Sequence, residues 1–297
     1  MRRPLGLSAA LLVVACGGGG SATAPSGAAA ALPAGTVLTV VSGEDDRPVA
    51  GAAVTVAAQT LTTSATGQVT LAAGAPARSA VEISASAFLL RQTVVRAAGE
   101  TRFTLWPDRP GFDAGFTREM FYGSFSDSGR MIRPTTPVTV VMSAELREPA
   151  ALDAARAGAA LLTAANGGAV PYAVADAPAA GAVRIDLVVD PADPGLATSA
   201  DRVGFTVVQI VGDRVTGGRI VFRDLGSARL RHLVAHELGH TFGAGHPTQP
   251  GLMNAVIPPL SDYSDAEKLA FRLATQRRPG NAFPDDDRAV SASAAHI

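Results

Sequence analysis

The chain contains a single cysteine, a single lysine and a single tryptophan among 297 residues, and it is almost uncharged overall. One cysteine excludes an internal disulfide, so a small disulfide-stapled scaffold is not available to it. A formal net charge of −1, with only 17% charged residues, leaves no basic stripe of the kind a nucleic-acid binder carries. Lys268 is the only lysine, so the positive charge is otherwise arginine. No apolar run is long enough to cross a bilayer as a helix. What the chain does have is apolar side chains, at 47%. That is too many for a wholly disordered chain, and the length suits two modest domains or one large one with appendages.

The N-terminus reads as a targeting segment. Met1-Arg2-Arg3 is positive, and residues 5–15 form a short, mostly apolar run that fits a cleaved signal. It closes with Val13-Val14-Ala15-Cys16, which resembles the bacterial lipobox, with Val13 where leucine is usual. The resemblance implies that residues 1–16 are a lipoprotein signal peptide and that Cys16 becomes an acylated N-terminus anchoring the chain to a membrane. Two or more acyl chains hold stably where one is marginal. Gly17 stands where an aspartate retains some lipoproteins in the inner membrane, which favours the outer membrane. The competing account is an ordinary signal peptide cut nearby. Residues 17–35, rich in Gly, Ala, Ser and Pro and without charge, read as a flexible tether.

Residues 36–106 carry short alternating runs such as Val54/Val56, Val69/Leu71 and Val81/Ile83, separated by Gly, Asp and Pro clusters. This pattern predicts a small all-β sandwich. The stretches 48–54 and 62–67 resemble the prealbumin-like modules found beside carboxypeptidases and on bacterial surface proteins. No catalytic constellation lies here, so a spacer or binding role is expected. Residues 107–115 read as a linker.

A second domain, 112–280, has mixed periodicity, giving an α+β chain in total. Strands are expected at 138–142, 183–189, 203–211 and 219–222, the last two joined through Gly212-Asp213 and Gly217-Gly218. A helix is expected at 148–165, with Pro149 at its start and Gly167-Gly168 beyond its end. Another is expected at about 227–242. A third opens on a capping box of Ser264 and Glu267 and runs to about 274. Residues 281–297 read as a loose polar tail.

The chemistry concentrates in His236-Glu237-Leu238-Gly239-His240-Thr241-Phe242-Gly243-Ala244-Gly245-His246. His236 and His240 lie one helical turn apart, so both rings leave the same face and two ring nitrogens can meet one zinc ion at about 2.1 Å. A third ligand from the next turn would lie too far along the axis. Glycine tolerates the left-handed conformation that ends a helix, so Gly243 lets the chain turn back and bring His246 to the metal from outside the helix. Three neutral imidazoles leave a fourth position open to water, as a catalytic zinc requires. Glu237, beside the first ligand, is then placed as the general base.

This run matches the signature of the metzincin metalloproteases, which the chain resembles over roughly residues 138–274. The resemblance implies one catalytic zinc held by His236, His240 and His246, Glu237 as base, and Gly243 as the helix-ending glycine. It also implies a methionine turn at Gly251-Leu252-Met253-Asn254, with Met253 as the floor beneath the metal, and a mixed twisted sheet beside the active-site helix. By the same comparison, 203–211 is the edge strand along which an extended protein or peptide substrate pairs. Relatives are often silenced by a propeptide cysteine. Here the only cysteine belongs to the signal region, so no such latency is expected.

Other candidates are weaker. His232, His236 and His240 would span about 12 Å along a helix rising about 1.5 Å per residue, too far for one ion. Glu267 offers a glutamate-ligand alternative to His246, but its capping role explains it more simply. Tyr263 is a candidate oxyanion donor, displaced from the family position two residues after the methionine, where Ala255 stands. Asp186, Asp190, Asp193 and Asp201 border a loop where relatives bind calcium, without a strict ligand motif. Nothing calls for more than a monomer. The rival reading, from a different class, is a non-catalytic surface adhesin or peptide-binding protein with a structural zinc. An intact Glu237 counts against it.

Overall fold

Alternation builds much of the first part of the protein. In the computed structural model, which describes residues 32–95, 100–123, 129–199, 201–256 and 259–288, the strands at 53–56, 68–70, 80–84 and 102–105 bury every second residue. β1 (Val37–Ser42), β4 (Gln68–Thr70) and β7 (Arg102–Leu105) form one sheet in the order β4-β1-β7. β2 (Ala53–Val56), β3 (Gln59–Thr62), β5 (Ala80–Ser84) and β6 (Arg91–Val94) form a second, in the order β3-β2-β5-β6. Leu38, Val40 and Phe103 from the first sheet meet Val54, Val56 and Ile83 from the second in one apolar core. Each such side chain, fully buried, contributes about 1.5–3 kcal/mol. A two-sheet sandwich is the outcome expected for 36–106. It starts earlier than expected, because Leu32 is buried in that core and exchanges backbone hydrogen bonds with Ala75. The tether therefore ends before Leu32. The rest of it, and the signal segment with Cys16, lie outside the described residues.

Among the described residues, the second part holds a five-stranded sheet and six α-helices. It begins with α1 (Ala114–Phe121), capped by Asp113, whose carboxylate accepts from the Phe116 amide. The linker expected over 107–115 thus overlaps folded structure, with Phe112 buried in the main core. β8 (Val138–Met142) is buried throughout, as a strand inside a parallel sheet must be. β9 (Tyr172–Val174), β8, β10 (Val183–Val189) and β12 (Arg214–Phe222) run parallel, and β11 (Gly204–Val211) joins β12 antiparallel at the edge. β12 is longer than expected. Gly217 and Gly218 are not a turn, because their backbones pair with β10 on one side and β11 on the other.

α2 (Pro149–Ala165) packs on α5 (Arg231–Thr241) through its small residues. A Cβ on Gly158 would stand 3.1 Å from Val234 and 3.2 Å from the Ala235 amide, so the two helices touch almost backbone to backbone. The short α3 (Pro194–Ala197) precedes β11. The single helix expected over 227–242 is in fact α4 (Leu225–Ala228), ended by the extended Leu230, and then α5. α6 (Asp265–Thr275) starts at Ser264 with the expected capping box formed. No described helix is long and apolar enough to cross a membrane.

The tail is the largest departure. Asn281, Asp285 and Asp287 are buried rather than loose. Asp285 pairs with Arg91 of the sandwich at 2.9 Å and with Arg277 at 2.7 Å, and Asp287 pairs with Arg91 at 2.8 Å. The Arg277 guanidinium lies 4.9 Å over the Trp106 ring. Polar composition suggested solvent, but these carboxylates neutralise two buried guanidiniums and so tie the domains together. Residues 289–297 lie outside the described part.

Candidate metal centre

α5 carries His236, Glu237 and His240, all at most 7% exposed. The helix ends at Thr241, with Phe242 as its cap, because Gly243 takes φ +97°, and a Cβ there would lie 1.9 Å from the Ile132 carbonyl oxygen. Only glycine fits. The chain beyond is held by α1: the Gly245 amide donates to the Met120 carbonyl at 2.7 Å, and Glu119 accepts from the Thr248 amide at 2.7 Å. His246 is thereby returned to the helix face.

The result is a triangle of ring nitrogens. His236 Nε2 lies 3.1 Å from His246 Nε2, and His240 Nε2 lies 3.0 Å from each of the other two. On the far side of its ring His236 Nδ1 lies 2.7 Å from the Leu252 carbonyl, and His240 Nδ1 lies 2.8 Å from the Ala244 carbonyl. A carbonyl only accepts, so both Nδ1 atoms carry the proton and both Nε2 atoms are bare. Bare lone pairs facing each other at this distance repel unless a cation sits among them. The spacing fits three donors each about 2.1 Å from one ion. Burial pushes the His236 pKa down to about 4 and that of His240 well below its usual value, so both rings are neutral donors near pH 7. Among the described residues, these three are the side chains that gather as a metal-binding group. His232, on the preceding turn, is outside it.

No family model matches this chain, and no curated protein is significantly similar to it.

The centre's support is built from α6 and the loop before it. Met253 is fully buried, and a Cβ on Gly239 would lie 2.3 Å from its sulfur, so the methionine packs directly under the histidine-bearing turn. Glu267 holds that loop in place. Its carboxylate accepts from the amides of Leu252 at 3.0 Å, Met253 at 2.6 Å and Ser264 at 2.7 Å. The capping role read from the sequence is present, but the same carboxylate also fixes Leu252, whose carbonyl orients His236. Glu267 is thus turned to backbone amides rather than to the imidazoles. Tyr263 donates to the Ala235 carbonyl at 2.6 Å and stacks edge-on against Phe271, a packing role.

A cleft of about 590 Å³ opens over the triangle, walled by Arg202, Gly204, Thr206 and Glu237. Burial raises the Glu237 pKa to about 7, opposed by a hydrogen bond from Thr206 to Oε2 at 2.5 Å. Gly204 makes room for the other oxygen, since a Cβ there would come within 2.6 Å of Oε1. Sequence spacing missed Thr206, Gly204 and Arg202, because they reach the site only through strand pairing. Three of the four aspartates around the 190–201 loop have partners within the chain. Asp186 pairs with Arg184, Asp193 pairs with Arg219 and caps α3, and Asp190 accepts from the Ala192 amide. Asp201 borders the cleft.

Proposed function

We propose that this protein is a zinc-dependent endopeptidase of metzincin type, tethered outside the cytoplasm through a lipid on Cys16. The observation that carries the reading is the triangle of imidazole nitrogens, 3.0–3.1 Å on a side, with a buried carboxylate from the same helix at its rim. His236, His240 and His246 would hold a zinc ion, which would supply Lewis acidity to a water and to the scissile carbonyl.

The chain's own residues perform the rest. Oε2 of Glu237 is engaged by Thr206, which leaves Oε1 to accept a proton from the attacking water and deliver it to the leaving amine. β11 forms the free edge of the sheet beside the cleft, so an extended peptide can add there as a further strand. Exposed Val207 and Val211 offer apolar contact along that edge. A purely structural zinc has no use for a buried base, which disfavours the adhesin reading.

The test is cleavage of casein by the purified mature chain. Activity should vanish with a chelator, return with zinc, and be absent in Glu237→Ala. Cleavage that survives both the chelator and the substitution overturns the proposal.

A further inference from the structure

Among the described residues, Arg202 is the one arginine placed in the cleft wall. The arginines around it have fixed partners. Arg219 pairs with Asp193, Arg184 with Asp186 and Arg229 with Glu148, while Arg223 donates to the carbonyls of Leu196, Ser199 and Arg202. Arg202 is exposed, and no carboxylate pairs with it among the described residues. Asp201 borders the same cleft without forming an ion pair to it.

Arg202 is nevertheless held in place. Its Nη1 donates to the Gly195 carbonyl and to Thr198 Oγ1, both at 2.8 Å, and its guanidinium carbon lies 5.4 Å over the Phe205 ring. One nitrogen and one flat face are committed, while Nε and Nη2 form the uncommitted edge of the fork. That edge matches a carboxylate with two parallel hydrogen bonds.

We infer that Arg202 is a specificity-determining residue that selects peptides bearing a carboxylate within a few residues of the scissile bond. This rests on the peptidase reading for its biological meaning. The carboxylate belongs either to an aspartate or glutamate side chain or to the peptide's own C-terminus. A pre-oriented guanidinium in a cleft open to solvent gives roughly a five- to tenfold preference.

The experiment uses zinc-loaded mature protein and quenched peptides that differ at single positions flanking the cut. Asp and Glu are compared with Asn and Gln, each as free acid and as C-terminal amide. Wild type should favour the acidic member by roughly five- to tenfold in kcat/KM, the preference shrinking as salt is added. Arg202→Gln should abolish the ratio, and Arg202→Lys should keep part of it. Loss of preference on amidation alone assigns the carboxylate to the C-terminus, and persistence after amidation assigns it to a side chain. An equal fall of Arg202→Gln on all peptides, with the ratio unchanged, means the residue merely holds its loop and overturns the inference.

A second arm measures binding of the same peptides to Glu237→Gln protein by fluorescence anisotropy. An Arg202-dependent preference there, without any cleavage by wild type, sinks the peptidase reading and leaves the inference standing. Cleavage by wild type with no acidic preference in either arm does the reverse.

Discussion

The Thr206 hydroxyl of β11 lies 2.5 Å from Glu237 Oε2 and 3.1 Å from the carbonyl of the same residue, joining the sheet edge to the histidine-bearing helix. A substrate strand added to β11 would therefore sit on the element that aims the proposed base, Glu237. Thr206→Val keeps the shape and removes the donor. Hydrogen bonds to charged groups are worth about 1.5–3 kcal/mol, so kcat should fall at least about tenfold with KM little altered. Thr206→Ser should stay within about threefold of wild type. Steady-state kinetics of the three proteins decide it, and a valine variant with full kcat would remove Thr206 from the mechanism.

Glu267 acts at a distance through Leu252. In Glu267→Gln one acceptor oxygen becomes an amide nitrogen facing converging backbone N–H groups. Stability should drop by about 1–3 kcal/mol, measured by denaturant unfolding of the metal-free protein. Zinc affinity should weaken by about tenfold or more, measured by chelator competition, because the Leu252 carbonyl orients His236. Unchanged zinc affinity would mean that the turn does not position the ligand.

Gly243 and Gly51 make a controlled pair. Both have positive φ, +97° and +70°, but a Cβ on Gly51 meets nothing within 4 Å. Gly51→Ala should cost only the conformational strain, about 1–3 kcal/mol, and retain zinc. Gly243→Ala must also displace the Ile132 carbonyl, so it should purify with little zinc. Metal content by elemental analysis separates the two.

The buried carboxylates of the tail predict a dependence on acid. Burial alone would raise the Asp285 pKa, but the Arg277 and Arg91 guanidiniums beside it hold it below the usual carboxylate range. A depressed folded-state pKa contributes stability that is present above the unfolded value, about 3.9, and lost as pH falls through the folded one. The stability difference between wild type and Asp285→Asn should therefore be constant near neutrality and shrink below about pH 4. A difference that persists unchanged at pH 3 contradicts the pairing.

How much of this was legible beforehand depends on the range of each interaction. The i, i+4 spacing of His236 and His240 and the role of Gly243 are local, and the sequence predicts both. Strand alternation in the sandwich and the Ser264 capping box are local too. Thr206, Gly204 and Arg202 meet α5 only because β11 folds back along the sheet, and no spacing encodes that. The tail misleads for a related reason: Asp285 and Asp287 look like solvated charge until Arg91, almost two hundred residues away, is brought to them. Gly217-Gly218 resembles a turn because glycine usually marks one, yet the ladder on both sides carries the strand through it.

The central claim is that three imidazoles close on one divalent cation, and a zinc titration of chelator-stripped mature protein against a chromophoric competitor tests it most directly. One equivalent should bind tightly to wild type and to His232→Ala, and none tightly to His236→Ala, His240→Ala or His246→Ala. Tight binding that survives His246→Ala, or no stoichiometric binding by wild type, would contradict it.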